Sequence, residues 1–250
     1  MPTRLQSPSS VNTFKQCKRK YFYQYIEKLP TLPNIHQVRG NIAHSCLEDF
    51  FDISIEHWTP ENYAFECKTA MQRLLLNQWG KYKERLTGLD LSQDQVRFYF
   101  EETMLMLMNW VTQFVDRISV RTNRLSCSIQ DAFMQLTPVR EQEYKSDNYS
   151  VRGFIDAIEH LDDEIHIVDY KTNSRFDFKD SIRLQLAIYS LLYFEKHGVM
   201  PAKVGIDFLR HKKKMINVDE ELLTLAKREL ELVHAHTGLC EHITEYPRTI

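Results

Sequence analysis

The sequence predicts an α/β chain of the α+β kind, a mixed central sheet flanked by helices and preceded by an N-terminal helical region. Three observations predict it. Residues 151–171 form two runs rich in β-branched and aromatic residues on either side of Asp162-Asp163-Glu164, the pattern of a β-hairpin. A helical pattern over 181–194 leads into another strand-like run at 202–209. Ahead of the hairpin, apolar residues recur at helical spacing from about Ser7 to Asn123.

The first helix opens at Ser7-Pro8, with serine as N-cap and proline at the first helical position, and runs to about Lys28. Leu29-Pro30-Thr31-Leu32-Pro33 breaks it. This segment sets Arg4, Lys15, Lys18, Arg19, Lys20 and Lys28 against Glu27 alone, with Phe14, Tyr21, Phe22, Tyr23 and Tyr25 interleaved. Cations mixed with aromatics suit a phosphate backbone and unstacked bases, so Lys15, Lys18, Arg19, Lys20 and Tyr21 are candidate nucleic-acid contacts. The alternative is an aromatic core stripe under a solvated basic face.

A second helix is expected over 36–57, with Ile42, Cys46, Leu47, Phe50 and Phe51 as its apolar set and His44 among them. Thr59-Pro60-Glu61 starts a third, to about Leu86, and Gly88 interrupts it. Ser92 and Gln95 read as a capping box opening a long helix to about Asn123, whose Met104, Met106 and Met108 suit core packing. Residues 58–125 carry no candidate chemistry. They read as a helical insertion within a single domain, 1–250, roofing the sheet and walling a substrate channel.

Pro138–Tyr144 is a strand from which either Glu141 or Glu143 faces the hairpin. On the first hairpin strand, Val151, Gly153, Ile155 and Ala157 share one face, and Arg152, Phe154, Asp156 and Ile158 the other. On the second, Asp169 and Lys171 share a face, so Asp156, Asp169 and Lys171 can meet at one end of the sheet. The next helix carries Gln185 and Tyr189 at i and i+4. After strand 202–209, Arg210–Lys214 reads as a basic hairpin tip, with Arg210, Lys212 and Lys213 as candidate backbone contacts, and 215–218 as the return strand. Asp219 caps a last helix to about His236.

Composition narrows the class. Hydrophobic residues make up 43% of 250, enough for a sizeable core, and the net charge of −2 supplies no overall basic field. The cysteines Cys17, Cys46, Cys67, Cys127 and Cys240 form no Cys-x-x-Cys pair and are odd in number, as expected of reduced thiols in a cytoplasmic protein. No run approaches a membrane span, and the first residues open no apolar leader.

Two carboxylates and a lysine on one sheet end have a clear chemistry. Carboxylates are hard oxygen ligands for Mg²⁺ or Mn²⁺, and a lysine can orient a water or a phosphate beside the ion. The motifs Gly153-Phe-Ile-Asp156, Asp169-Tyr170-Lys171 and Gln185-Leu-Ala-Ile-Tyr189, in this order, resemble the PD-(D/E)XK nuclease superfamily and its RecB-like branch. Gly40-Asn-Ile-Ala-His44 resembles that branch's Gly-x-x-x-His signature, and Ser9 to Tyr23 its opening helix.

The resemblance implies a restriction-endonuclease-like core and metal-dependent hydrolysis of DNA, as a RecB-like exonuclease acting on single strands or ends in repair or recombination, with a helicase or recombination partner. It implies His44, Asp156, Asp169 and the Tyr170 carbonyl as metal ligands. Lys171 would position water, Gln185 would hold Lys171 or a phosphate, and Tyr189 would touch the substrate strand or buttress the site. A noncatalytic nucleic-acid-binding module and a hydrolase of small phosphoesters are the alternatives. Several relatives hold a [4Fe–4S] cluster on one N-terminal cysteine, where Cys17 matches, and three after the last helix. Only Cys240 stands there, so no cluster is expected in this 250-residue chain.

Overall fold

Five strands form a single mixed sheet in the order β1-β2-β3-β4-β5, the order of the sequence itself. The computed structural model describes residues 4–173, 176–240 and 242–248. The strands are β1 (Val139–Ser146), β2 (Val151–Leu161), β3 (Glu164–Lys171), β4 (Lys203–Phe208) and β5 (Lys213–Asn217). Tight turns join β1 to β2 and β2 to β3, so these pairs are antiparallel. Strands β3 and β4 are parallel, and the helix between them, Asp180–His197, is the crossover that parallel pairing requires. Strand β5 returns antiparallel along β4.

In chain order the helices are α1 (Pro8–Gln16), α2 (Lys18–Tyr21), α3 (Ile35–Asp49), α4 (Tyr63–Lys81), α5 (Lys83–Thr87), α6 (Gln93–Leu125), α7 (Ile129–Leu136), α8 (Asp180–His197) and α9 (Glu220–Thr237). The expected first helix is therefore broken. Cys17 is extended between α1 and α2, and a π-helical turn, Phe22–Ile26, follows. The second ends earlier than expected, α3 closing at Asp49 with a 3₁₀ turn over Phe50–Asp52. The capping box at Ser92 and Gln95 is present. Helix α7 lies in a stretch to which the sequence reading gave no element, although Ser128 caps it through Asp131 and its apolar residues fall on one face.

Each sheet face carries its own core. One unites α3, α4, α6 and α7 with Ala157, Val168 and Tyr170 from the sheet. The other unites Val11, Phe14, Tyr21 and Phe22 with α8, α9 and the inward residues Val151, Ile155, Ile158, Ile167, Val204 and Ile206. Helices α1 and α3 thus lie on opposite sides of the sheet.

The alternation of faces on β2 inverts where the site begins. Val151, Ile155 and Ile158 all join the core under α8, whereas Ala157 joins the opposite one. The expected grouping of Ala157 with Val151 and Ile155, and of Ile158 with Phe154, is therefore corrected. The neighbouring strand is irregular at the same level. The pairs Arg140↔Ala157 and Gln142↔Ile155 bracket Glu141, whose φ of 46° is left-handed. A non-glycine residue there costs on the order of 1–3 kcal/mol, and the local backbone breaks the two-residue period.

Candidate active site

Strand β3 supplies the centre of the site. Asp169 and Lys171 project from the same side, as the two-residue repeat requires, and the Lys171 Nζ lies 2.7 Å from Asp169 Oδ2. Helix α8 packs across that side. From it the Gln185 Nε2 donates to Asp169 Oδ1 at 2.7 Å and to the Tyr189 hydroxyl at 3.0 Å. Gln185 thus holds Asp169 rather than the expected Lys171 or phosphate. Tyr189 is buried and rests against Gly153, where an added Cβ would come within 3.0 Å of its ring. Its hydroxyl steadies Gln185. The glycine of the first motif is the space that this ring fills.

The second carboxylate, Asp156, is also buried, and its Oδ2 accepts from the Tyr170 backbone N–H at 2.7 Å. Helix α3 brings His44 against it, with Nδ1 3.5 Å from Asp156 Oδ2 and 3.9 Å from Glu141 Oε1. The other imidazole nitrogen, Nε2, is 3.1 Å from the Tyr170 carbonyl. A carbonyl only accepts, so Nε2 carries a hydrogen and Nδ1 faces the two acids. The Tyr170 carbonyl, an expected ligand, accepts from His44 here. The same geometry resolves the open choice on β1. Glu141 faces the site, while Glu143 is exposed and pairs with Arg152 at 3.5 Å. Nothing in the alternation of β1 separates these two acids, because the left-handed backbone at Glu141 aims its side chain.

The electrostatics are those of a crowded acidic pocket. Burial, reinforced by Asp169, pushes the Asp156 carboxyl above the usual carboxylate range. Burial alone would lower the His44 imidazole, but Glu141, Asp156 and Asp169 outweigh it and raise it. Burial likewise opposes the charge on Lys171, yet the Asp169 carboxylate prevails and keeps the ammonium protonated. Lys171 is therefore a cation here and not a base.

The residues fit a divalent ion. Ligand atoms of His44, Glu141 and Asp156 all lie within 4.8 Å of one another. Asp169 Oδ2 is buried without a hydrogen-bond donor among the described residues, its contact with Lys171 being an ion pair without hydrogen-bond angles. Three carboxylates and one imidazole make a donor set for a hard or borderline cation.

His44, Tyr170 and Lys171 open onto a cleft of about 590 Å³. Helices α3 and α6 form its far walls. Arg210 closes one side, donating to Glu102 at 2.8 and 2.6 Å, and Arg39 donates to the same carboxylate at 2.9 Å. Arg210, an expected DNA contact, is tied to Glu102 in this cluster.

Among the other expected nucleic-acid contacts, burial takes Tyr21 out of reach, while Lys15, Lys18, Arg19 and Lys213 keep partners within the chain. Tyr21 is 2% exposed, its hydroxyl bonded to Gln6, so the N-terminal aromatics are a core stripe with Phe14 and Phe22 beside it. Lys15 is paired with Glu229 at 2.7 Å. Arg19 donates to the Tyr246 carbonyl at 2.6 Å, and Lys18 lies over the Phe14 ring. Lys213 is not in a turn but in β5, half-buried and 2.8 Å from Glu159. Lys20 and Lys212 stand exposed.

Comparison with known proteins bears on this arrangement. A family model described as the PD-(D/E)XK nuclease superfamily matches residues 6–247. No curated protein is similar enough to match. Among solved structures, one described as "Putative exonuclease" from Eubacterium rectale is 11% identical, covers 92% of this chain and 78% of its own, and has a TM-score of 0.48. Among the described residues no helix is long and apolar enough to cross a membrane.

Proposed function

Since the chain belongs to the PD-(D/E)XK nuclease superfamily, we propose that it is a metal-dependent deoxyribonuclease, a RecB-like exonuclease that acts on single strands or DNA ends in repair or recombination. The observation that carries this reading is the convergence of Glu141, Asp156 and His44, with Asp169 paired to Lys171 on the adjacent strand, where His44 and Lys171 open onto a cleft. His44 through Nδ1, Glu141, Asp156 and Asp169 would hold Mg²⁺ or Mn²⁺. A bound divalent ion supplies charge stabilisation at the reacting phosphate and lowers the pKa of water.

The chain's own groups do the rest. Lys171, kept protonated by Asp169, donates from Nζ to the incoming water or to a phosphate oxygen. Gln185 fixes the Asp169 carboxylate, and Tyr189 fixes Gln185. The Tyr170 carbonyl sets the His44 tautomer. Lys20 and Lys212 are exposed cations that can meet the phosphate backbone, and a helicase or recombination partner would deliver unwound ends to the cleft.

The test is cleavage of end-labelled single-stranded, duplex and circular DNA with Mg²⁺ or Mn²⁺. Linear single strands should be shortened from an end and circles left intact. Asp169→Asn should abolish cleavage while the protein stays folded; wild-type-like cleavage by that variant would sink the assignment.

A further inference from the structure

The far wall of the cleft holds groups that hydrolysis itself does not use. Phe98 on α6 is 54% exposed and lines the cleft. Its ring lies 5.3 Å from that of Tyr99, which in turn meets His36 at 5.8 Å, so three rings line one side. The Arg39 guanidinium sits 5.4 Å from the Tyr99 centroid. Arg39 is 3% exposed, and its Nε is buried with no hydrogen-bond partner among the described residues. Two guanidiniums, of Arg39 and Arg210, share the single carboxylate of Glu102, which leaves this cluster one positive charge in excess. The cleft therefore offers a ring face and a surplus cation in walls that it shares with Lys171 and His44.

We infer that this cleft is a nucleotide subsite, in which an unpaired base next to the cleaved phosphate stacks on Phe98 and its phosphate meets the Arg39–Glu102–Arg210 cluster. Each part has a physical reason. A base has a π-face whatever its identity, so stacking recognises a strand without reading sequence. A base in a duplex has both faces covered and cannot offer one. The volume, about 590 Å³, falls in the range of single small-ligand sites and admits one nucleotide rather than a double helix. Glu102 is a positioning residue, since its two oxygens fix both guanidiniums and prevent their mutual repulsion from opening the cleft. The inference rests on the nuclease reading and adds to it the feature that selects an unpaired strand.

The experiment uses a set of single-stranded DNA oligonucleotides, each with one abasic site at a different position, and measures both cleavage rates with Mn²⁺ and binding by fluorescence anisotropy with Ca²⁺. With the wild type, an abasic site at one position beside the cleaved bond should lower kcat/KM about tenfold. Phe98→Ala should lose a similar factor on the intact strand and should be indifferent to that abasic site, because base and ring act as a pair. Phe98→Trp should restore the wild-type pattern. If the losses from Phe98→Ala and from the abasic site multiply, or if neither loses affinity, the inference is overturned. Absence of any cleavage by the wild type would refute the nuclease reading instead. The anisotropy arm would still decide the subsite, since Phe98→Ala must weaken oligonucleotide binding about tenfold there too.

Discussion

Glu159→Gln removes the charge that ties the sheet to its helical roof. Glu159 on β2 is 4% exposed and receives the Lys213 ammonium from β5 at 2.8 and 3.0 Å and the Arg117 guanidinium from α6 at 2.9 Å. Burial alone would raise its carboxyl, but the two cations outweigh burial and hold it at about 2, against an ordinary 4.5. That gap corresponds to roughly 3 kcal/mol, within the ~3–5 kcal/mol typical of breaking a buried ion pair. Asp207 lies in the same cluster and can take up part of the cations' demand, so a loss of about 2–3 kcal/mol is expected at pH 7. The folded-state value is depressed. The stabilisation is therefore complete above the unfolded value near 4.5 and is lost as pH falls through about 2. Urea unfolding at a series of pH values checks both points. The wild type should lose stability over that acid window, and Glu159→Gln should lack this part of the slope. A variant within about 0.5 kcal/mol of wild type at pH 7, or one that keeps the full acid slope, would refute the account.

Two further predictions concern the site. Lys171→Ala should retain Mn²⁺ affinity by calorimetry while single-turnover cleavage falls roughly 10²–10³-fold, because the ammonium acts on water and phosphate rather than on the ion; affinity that collapses with the rate would show that the roles are divided wrongly. Gly153→Ala places a methyl 3.0 Å from the Tyr189 ring and 3.2 Å from Leu192, so it should cost about 1–3 kcal/mol, lower the thermal midpoint by several degrees and slow cleavage by displacing the hydroxyl that steadies Gln185. An unchanged midpoint would mean that the helix yields freely.

What the sequence disclosed follows the range of the interactions involved. The hairpin, the shared side of Asp169 and Lys171, and the one-turn spacing of Gln185 and Tyr189 are local periodicities, and they were legible. The inversion at Asp156 was not, because no residue type in Val151–Leu161 marks where the alternation breaks. Tyr21 stays open between a nucleic-acid contact and a core stripe in the sequence, because a cationic neighbourhood says nothing about which side of a short helix is covered. Lys213 was placed in a turn since three successive basic residues look solvated, and its partner Glu159 is 54 residues away. The Arg39–Glu102–Arg210 cluster joins positions 63 and 108 residues apart, and no spacing rule connects them.

The position of α1 across the sheet from α3 has a consequence for synthesis. The Asn12 amide donates to the Ser181 carbonyl 169 residues later, and Phe14, Tyr21 and Phe22 pack with residues of α8 and α9. On a ribosome adding ~5–20 residues per second, the first helix waits on the order of ten to thirty seconds for the chain that covers it. The bundle of α3, α4, α6 and α7 can gather meanwhile, whereas the aromatic stripe of the leading segment stays wet until the final third emerges. Closure of this fold thus seats its first helices on α8 and α9, and a nascent chain halted before α8 would present Phe14, Tyr21 and Phe22 to any chaperone nearby.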